Sequence, residues 1–279
     1  MTKYIIIGGT GGIGAAIARL LRAAGNDIHL IARDEAKLTS LALELGATFA
    51  LADVQDRAAL EAAILSAGSS IDSLCYAAGT INLKPLHRLT DADALRDFEI
   101  NALGAFRAVQ VALPLLKAST QATSSVLLFS TVAVAQGFTA HASVSMAKGA
   151  IEGLTRALAA ELAPRIRVNA IAPSLTRTTM AKALTSNEAM ATAIAGLHAA
   201  QRLGEADDIA EMAAFCCFRL SLPGLQARLS AWMAEGQRSA PKARPWQRWS
   251  RNRICLRKFA LPAGGLSPGA RNGRKSGMR

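Results

Sequence analysis

Short apolar runs alternate with longer amphipathic stretches over the first 170 residues. Runs of four or five residues, mostly apolar, predict strands at Tyr4–Ile7, Ile28–Ala32, Thr48–Leu51, Ser73–Tyr76, Val126–Phe129 and Val168–Ile171. Between them, apolar residues recur every three or four positions, as in Ile13, Ile17, Leu20 and Leu21. That period predicts helices over Ile13–Ala24, Glu35–Leu45, Arg57–Ser66, Asp93–Leu116 and Val144–Leu162. Gly25 and Gly46 follow the first two helices, where a left-handed residue ends a helix. Apolar strands alternating with helices predict an α/β fold with a parallel sheet covered on both faces. Right-handed crossovers make it doubly wound. A Thr/Ala-rich stretch follows Pro173 to about Leu203, and a last helix is expected over Asp207–Phe215. The chain has no internal repeat.

The first strand runs into Gly8-Gly9-Thr10-Gly11-Gly12-Ile13-Gly14 and then a helix. A phosphate needs close backbone approach and free N–H groups at a helix N-terminus, and glycines at 8, 12 and 14 supply both. The spacing is Gly-x3-Gly-x-Gly rather than the more familiar Gly-x-Gly-x2-Gly. An empty tight turn is the competing reading, but five glycines in seven residues between a first strand and a first helix favour a phosphate loop.

With this loop the sequence resembles the short-chain dehydrogenases/reductases over residues 4 to about 215. The family's loop reads Thr-Gly-x3-Gly-x-Gly; Ile7 replaces the Thr, and Gly8, Gly12 and Gly14 match. Asp53-Val54 follows the third strand, where the resemblance implies an Asp contact to adenine. Tyr76-Ala77-Ala78-Gly79 stands in place of Asn-Asn-Ala-Gly: both asparagines are missing, but Ala78 and Gly79 keep the backbone open to the cofactor. Asn101 matches the family's helix-4 Asn. Arg167 to Pro173 resembles the sixth strand, with Thr178 five residues beyond Pro173, where the family's Thr touches the nicotinamide carboxamide. The resemblance implies a Rossmann-type fold, a nicotinamide cofactor and a small carbonyl or alcohol substrate.

At the end of the second strand an acid would bond the ribose 2′-hydroxyl and select NAD. Ala32 takes that place and Arg33 follows, a planar fork matched to a 2′-phosphate. Thr10 adds a hydroxyl. NADP is therefore expected over NAD, against the alternative that Arg33 only pairs with Asp34 or Glu35 on the surface.

The catalytic residues depart from the family, whose Ser, Tyr and Lys lie thirteen and then four residues apart. Lys148 fits the Lys; counting back places Val144 at the Tyr and Thr131 at the Ser. The Thr131 hydroxyl still polarises a carbonyl, but Val144 carries no proton. Hydride transfer to a carbonyl makes an alkoxide that needs a proton donor, and losing one typically costs about 10² to 10⁴ in rate. His141, Ser143 and Ser145 lie nearby; His141 is the candidate substitute acid, although a solvated loop histidine is the commoner reading of such a residue. The resemblance gives Lys148 a second role on the nicotinamide ribose, which would survive in a protein that binds cofactor without turnover.

Charge changes the picture only at the C-terminus. The chain of 279 residues has net charge +12. Residues 1–215 hold 18 Lys and Arg against 19 Asp and Glu, whereas residues 216–279 hold 14 against the single acid Glu235. All three Trp and three of four Cys also fall in that tail. Residues 1–215 are thus expected to be one domain and 216–279 an irregular basic tail with no seventh strand. Where the family continues with Ser-Ala-Trp-Ile-Thr-Gly-Gln-Val-Ile-x-Val-Asp-Gly-Gly, this chain reads Cys216 to Gly236 with no such motif. Codons permitted for those residues, read one base earlier, encode it throughout, which implies a single-base frameshift near codon 215 or 216. A nucleic-acid arm is the rival reading, but charge without a recognisable reading module does not make a specific site. Few Cys, no signal peptide and no continuous apolar span predict a cytoplasmic protein off the membrane. Family-type pairing through the helices at 93–116 and 144–162 implies a homodimer.

Overall fold

A computed structural model describes residues 2–198, 200–218 and 229–230. Its strands are β1 (Lys3–Ile7), β2 (Asp27–Ala32), β3 (Thr48–Leu51), β4 (Ser73–Tyr76), β5 (Ser124–Phe129), β6 (Ile166–Ile171) and β7 (Leu229–Ser230). They form one sheet in the order β3-β2-β1-β4-β5-β6-β7, parallel throughout. The order reverses between β1 and β4, where a crevice opens beyond the strands' carboxyl ends.

Side-chain alternation along β1 divides the core. Ile5 and Ile7 face a cluster with Leu60 and Ile64 of α3 (Arg57–Leu65), Val109 and Leu116 of α5 (Gly104–Lys117), and Ile151 of α7 (Ala142–Leu162). Tyr4 and Ile6 face the other, with Ile17 and Leu21 of α1 (Gly12–Ala23), Leu38 of α2 (Glu35–Leu45), and Ile209 of α10 (Ala206–Phe218). Both faces of the sheet are covered, as the apolar strands require. Strand β3 is the exception: it lies at the edge, and Phe49 and Leu51 stay exposed.

Four expectations change. The single helix expected over 93–116 is broken into α4 (Asp91–Phe98), a π-helical turn at Glu99–Leu103, and α5. A Thr90/Asp93 capping box starts α4 early. At the π turn the buried Tyr76 hydroxyl donates to the Ile100 carbonyl at 2.6 Å. The stretch after Pro173 carries two short helices, α8 (Lys182–Thr185) and α9 (Glu188–Ala195). Helix α10 runs to Phe218, past the expected boundary at 215. Finally, the chain does add a seventh strand: Leu229 and Ser230 pair with Ala170 and Ile171 of β6. The exposed edge of β6 offers backbone donors and acceptors, and two extended residues satisfy them whatever their side chains. The rest of the expected tail lies outside the described residues. Among the described residues no helix is long and apolar enough to cross a membrane.

Candidate active site

Two clefts meet at the crevice. The smaller, about 180 Å³, is lined by Gly8, Thr10, Arg33, Asp53, Val54, Ala78 and Gly79. The larger, about 370 Å³, takes in Ile13, Asn101, Thr131, His141, Val144, Lys148, Pro173 and Thr178. Ala77, Ala78, Gly79, Thr80 and Met180 line both. Gly12 and Gly14 line neither cleft; they let elements close. A side chain on Gly12 would meet Thr178 at 2.8 Å, and one on Gly14 would strike the Gly8 carbonyl.

The backbone here is shaped to leave room. Gly8 sits at φ +79°, and a Cβ on it would come within 2.5 Å of the Ala78 nitrogen. No side chain caps α1, and its first turn carries no acid, so the positive helix end faces the crevice uncompensated. A Cβ on Gly79 would lie 2.8 Å from Asn101 Oδ1 and 3.4 Å from Lys148 Nζ. The two joined clefts and the uncapped helix end leave room and positive charge for an elongated, phosphate-bearing ligand. Arg33 is exposed at the rim of the smaller cleft and pairs loosely with Asp53 at 3.8 Å, rather than with Asp34 or Glu35. Asp34 instead caps α2 and bonds Lys37.

In the larger cleft Lys148 is buried, and its Nζ donates to the Phe129 carbonyl at 2.9 Å. Burial pushes the ammonium from 10.5 down to about 8, partly opposed by the Asp97 carboxylate. Helix α7 sets Val144 one turn before Lys148, buried in the cleft wall. Thr131 lines the cleft, and its hydroxyl accepts at 3.3 Å from the N–H of Ala133, which opens the short helix α6 (Ala133–Gln136), whereas Ser130 turns back to Glu152 at 2.9 Å. Thr131 is therefore the hydroxyl free to face a carbonyl. His141 stands at the N-cap of α7, with Nδ1 against the Thr139 carbonyl at 2.7 Å and its ring edge-on to Phe138. Ser143 is turned away, donating to Asp97 at 2.6 Å.

Asn101 is held rather than held out. Its Nδ2 donates to the Thr80 hydroxyl at 2.9 Å and the Asp97 carbonyl at 2.8 Å, and its Oδ1 accepts from Thr80 N at 3.2 Å. Thr80 in turn donates to the Asp97 carboxylate at 2.7 Å. Sequence reasoning missed Asp97 and Thr80, and also Ser174 and His198, which line the same cleft 2.7 Å apart. No spacing signal marks them; Ser174's place directly after Pro173 was the one available hint.

A family model described as enoyl-(acyl carrier protein) reductase matches residues 8–221. A chloroplastic tropinone reductase homologue of Arabidopsis thaliana is 32% identical over 230 residues, covering 78% of this chain and 70% of its own. L-xylulose reductase of Bos taurus is 30% identical over 215 residues, covering 76% of this chain and 87% of its own. Among solved structures, a variant of actinorhodin polyketide ketoreductase with NADPH superposes with TM-score 0.75 at 26% identity, covering 84% of this chain and 97% of that one. With the glycine loop, the parallel sheet order and Lys148 in its cleft, these matches show that the chain belongs to the short-chain dehydrogenase/reductase family.

Proposed function

We propose that the protein is an NADP(H)-dependent oxidoreductase acting on a small carbonyl or alcohol substrate, its site residues all lying within residues 1–215. The observation that carries this reading is the continuity of the glycine cradle with the Lys148 cleft through Ala78 and Gly79. The family binds nicotinamide cofactors, and bound nicotinamide supplies or accepts the hydride. The remaining work falls to this chain's residues. The α1 N-terminus and Gly8 hold the pyrophosphate, Asp53 and Val54 flank the adenine, and Arg33 takes the 2′-phosphate through its two-pronged guanidinium. Lys148 holds the ribose hydroxyls, Thr178 and Pro173 border the carboxamide, and the Thr131 hydroxyl polarises the substrate oxygen. Phe138, Met180, Leu184 and Leu197 line the larger cleft and favour a substrate with an apolar body. Exposed Leu95, Phe98, Phe106 and Met146 on the helices flanking the site support a homodimer.

Val144 favours a second reading, a cofactor-binding protein without turnover. The two separate on one observation: NADPH consumed with a carbonyl present, or bound and not consumed. Cofactor choice is tested by fluorescence titration of NADPH and NADH on wild type and Arg33→Ala. Wild type should prefer NADPH by about tenfold or more, the worth of a charge-assisted bond, and the variant should lose that preference. Equal affinities in wild type refute the assignment.

A further inference from the structure

We infer that Ser174 and His198 form a proton relay that replaces the phenol missing at Val144. This rests on the oxidoreductase reading above. His198 is buried, lines the larger cleft, and makes a bond at each ring nitrogen: Nε2 to Ser174 Oγ at 2.7 Å and Nδ1 to the Arg202 carbonyl at 2.7 Å. A carbonyl only accepts, so Nδ1 carries a hydrogen in either charge state. Neutral His198 therefore accepts the Ser174 proton at Nε2. Protonated His198 donates from Nε2 to Ser174 Oγ, which frees the Ser174 O–H for the cleft.

The orienting carbonyl is itself fixed. The Arg202 guanidinium makes two bonds to Asp208, at 2.5 and 2.8 Å, in the first turn of α10. Hydroxyl, imidazole, orienting acceptor and anchored support form the arrangement by which enzymes hold a base and its proton in place. It opens into the cleft that also holds Thr131 and Lys148.

In carbonyl reduction, hydride added at the carbonyl carbon, which a bound dihydronicotinamide would supply, moves the C=O π electrons to oxygen. That oxygen takes the Ser174 hydroxyl proton as a new O–H bond. Ser174 Oγ takes the proton from His198 Nε2, and the imidazolium becomes neutral imidazole. Alcohol oxidation runs the same transfers backwards.

The competing role is a staple that only holds the segment around His198 to the end of β6. The experiment uses the full chain, NADPH and phenylpropanedione, an aryl α-diketone suited to an apolar cleft. Wild type should bind NADPH and reduce the diketone. Ser174→Ala and His198→Gln should each lower kcat about 10²-fold, with KM and the NADPH Kd within about twofold, and the double variant should lose no more than either single one. Adding Val144→Tyr to His198→Gln should restore at least about tenfold, which a lost staple would not allow. Histidine nitrogen NMR on the cofactor-free protein gives a readout apart from activity: His198 should be the Nδ1–H tautomer, and its Nε2 resonance should move with the diketone in wild type but not in Ser174→Ala. The relay is overturned if His198→Gln keeps kcat, if Val144→Tyr fails to rescue it, or if His141→Ala abolishes turnover while His198→Gln does not; NADPH bound without reduction of the diketone overturns the oxidoreductase reading and the relay with it. Absence of NADPH binding refutes the oxidoreductase reading instead, and the NMR response alone then decides whether Ser174 and His198 act on a carbonyl as a pair.

Discussion

Replacing Lys148 with Met should stabilise the cofactor-free protein and weaken its grip on NADPH. The side chains have similar length, so the substitution removes mainly the charge. Burial lowers the ammonium from 10.5 to about 8, and at about 1.4 kcal/mol per pH unit this is a cost of about 3 kcal/mol at neutral pH. Opposing it, the variant loses the bond from Nζ to the Phe129 carbonyl and leaves a buried acceptor, worth about 1–2 kcal/mol. A net gain of about 1–2 kcal/mol remains, or a rise in Tm of roughly 2–8 °C for a domain of this size. The pH dependence has a definite sign. Below pH 8, Lys148 is protonated in native and unfolded chains alike, and the native state carries the whole cost. Between about 8 and 10.5 the native state releases the proton while the unfolded chain keeps it, so wild type gains stability as pH rises. Met cannot titrate, and its advantage should shrink across that window. Urea unfolding of both proteins without cofactor, near pH 7 and again near pH 9.5, measures the difference with all other titrations cancelled. A Met variant less stable at pH 7, or an advantage that does not change with pH, refutes the reasoning. NADPH titration supplies the functional half: affinity should fall although stability rises, because the buried charge is kept for its ligand.

The remaining predictions concern the glycine loop and the C-terminus. Gly8→Ala puts a Cβ on a left-handed residue and within 2.5 Å of the Ala78 nitrogen; it should cost at least about 2 kcal/mol and lower Tm by roughly 4–8 °C, and an unchanged melting curve would show that the cradle is not this tight. Nucleotide sequencing across codons 215–236 should find codons that spell the family motif one base earlier. Of their six codons each, Arg228 should use AGG and Leu229 TTA, since those let the shifted frame read Gln-Val-Ile; other codons there remove the frameshift account.

The fold was legible because its signals are local and repeat. Six strands and the helices between them carry their own apolar period, and their ends fall within about two residues of the observed ones at most positions. What failed was information that period does not carry. The run through 93–116 keeps helical spacing across the π turn, so nothing in it shows the register shift; the Tyr76 hydroxyl on the Ile100 carbonyl comes from a strand 24 residues earlier. Strand β3 has an apolar run but lies at an edge, and edge position is set by strand order, not by composition. Composition argued against β7 for a related reason: it weighs side chains, whereas pairing with Ala170 and Ile171 uses backbone alone.

The site divides along the same line. Gly8, Lys148 and Thr178 were picked out by fixed distances from strand ends, and the structure brings Gly8 to the smaller cleft and Lys148 and Thr178 to the larger. Counting from Lys148 also separated Thr131 from Ser130, and the structure gives the physical difference, since Ser130 is committed to Glu152. The proposed donor, Ser174 backed by His198, stands at no such distance. His141 was the natural nominee because it stands three residues before Val144, and it does line the cleft. His198 lies 54 residues beyond Val144 and meets Ser174 only after the segment following β6 folds back over the crevice. A donor lost from one helix face is most easily replaced from such a segment, because its backbone is free of sheet register and helix pitch. Its side chains can then reach the cleft without disturbing the elements that hold the cofactor.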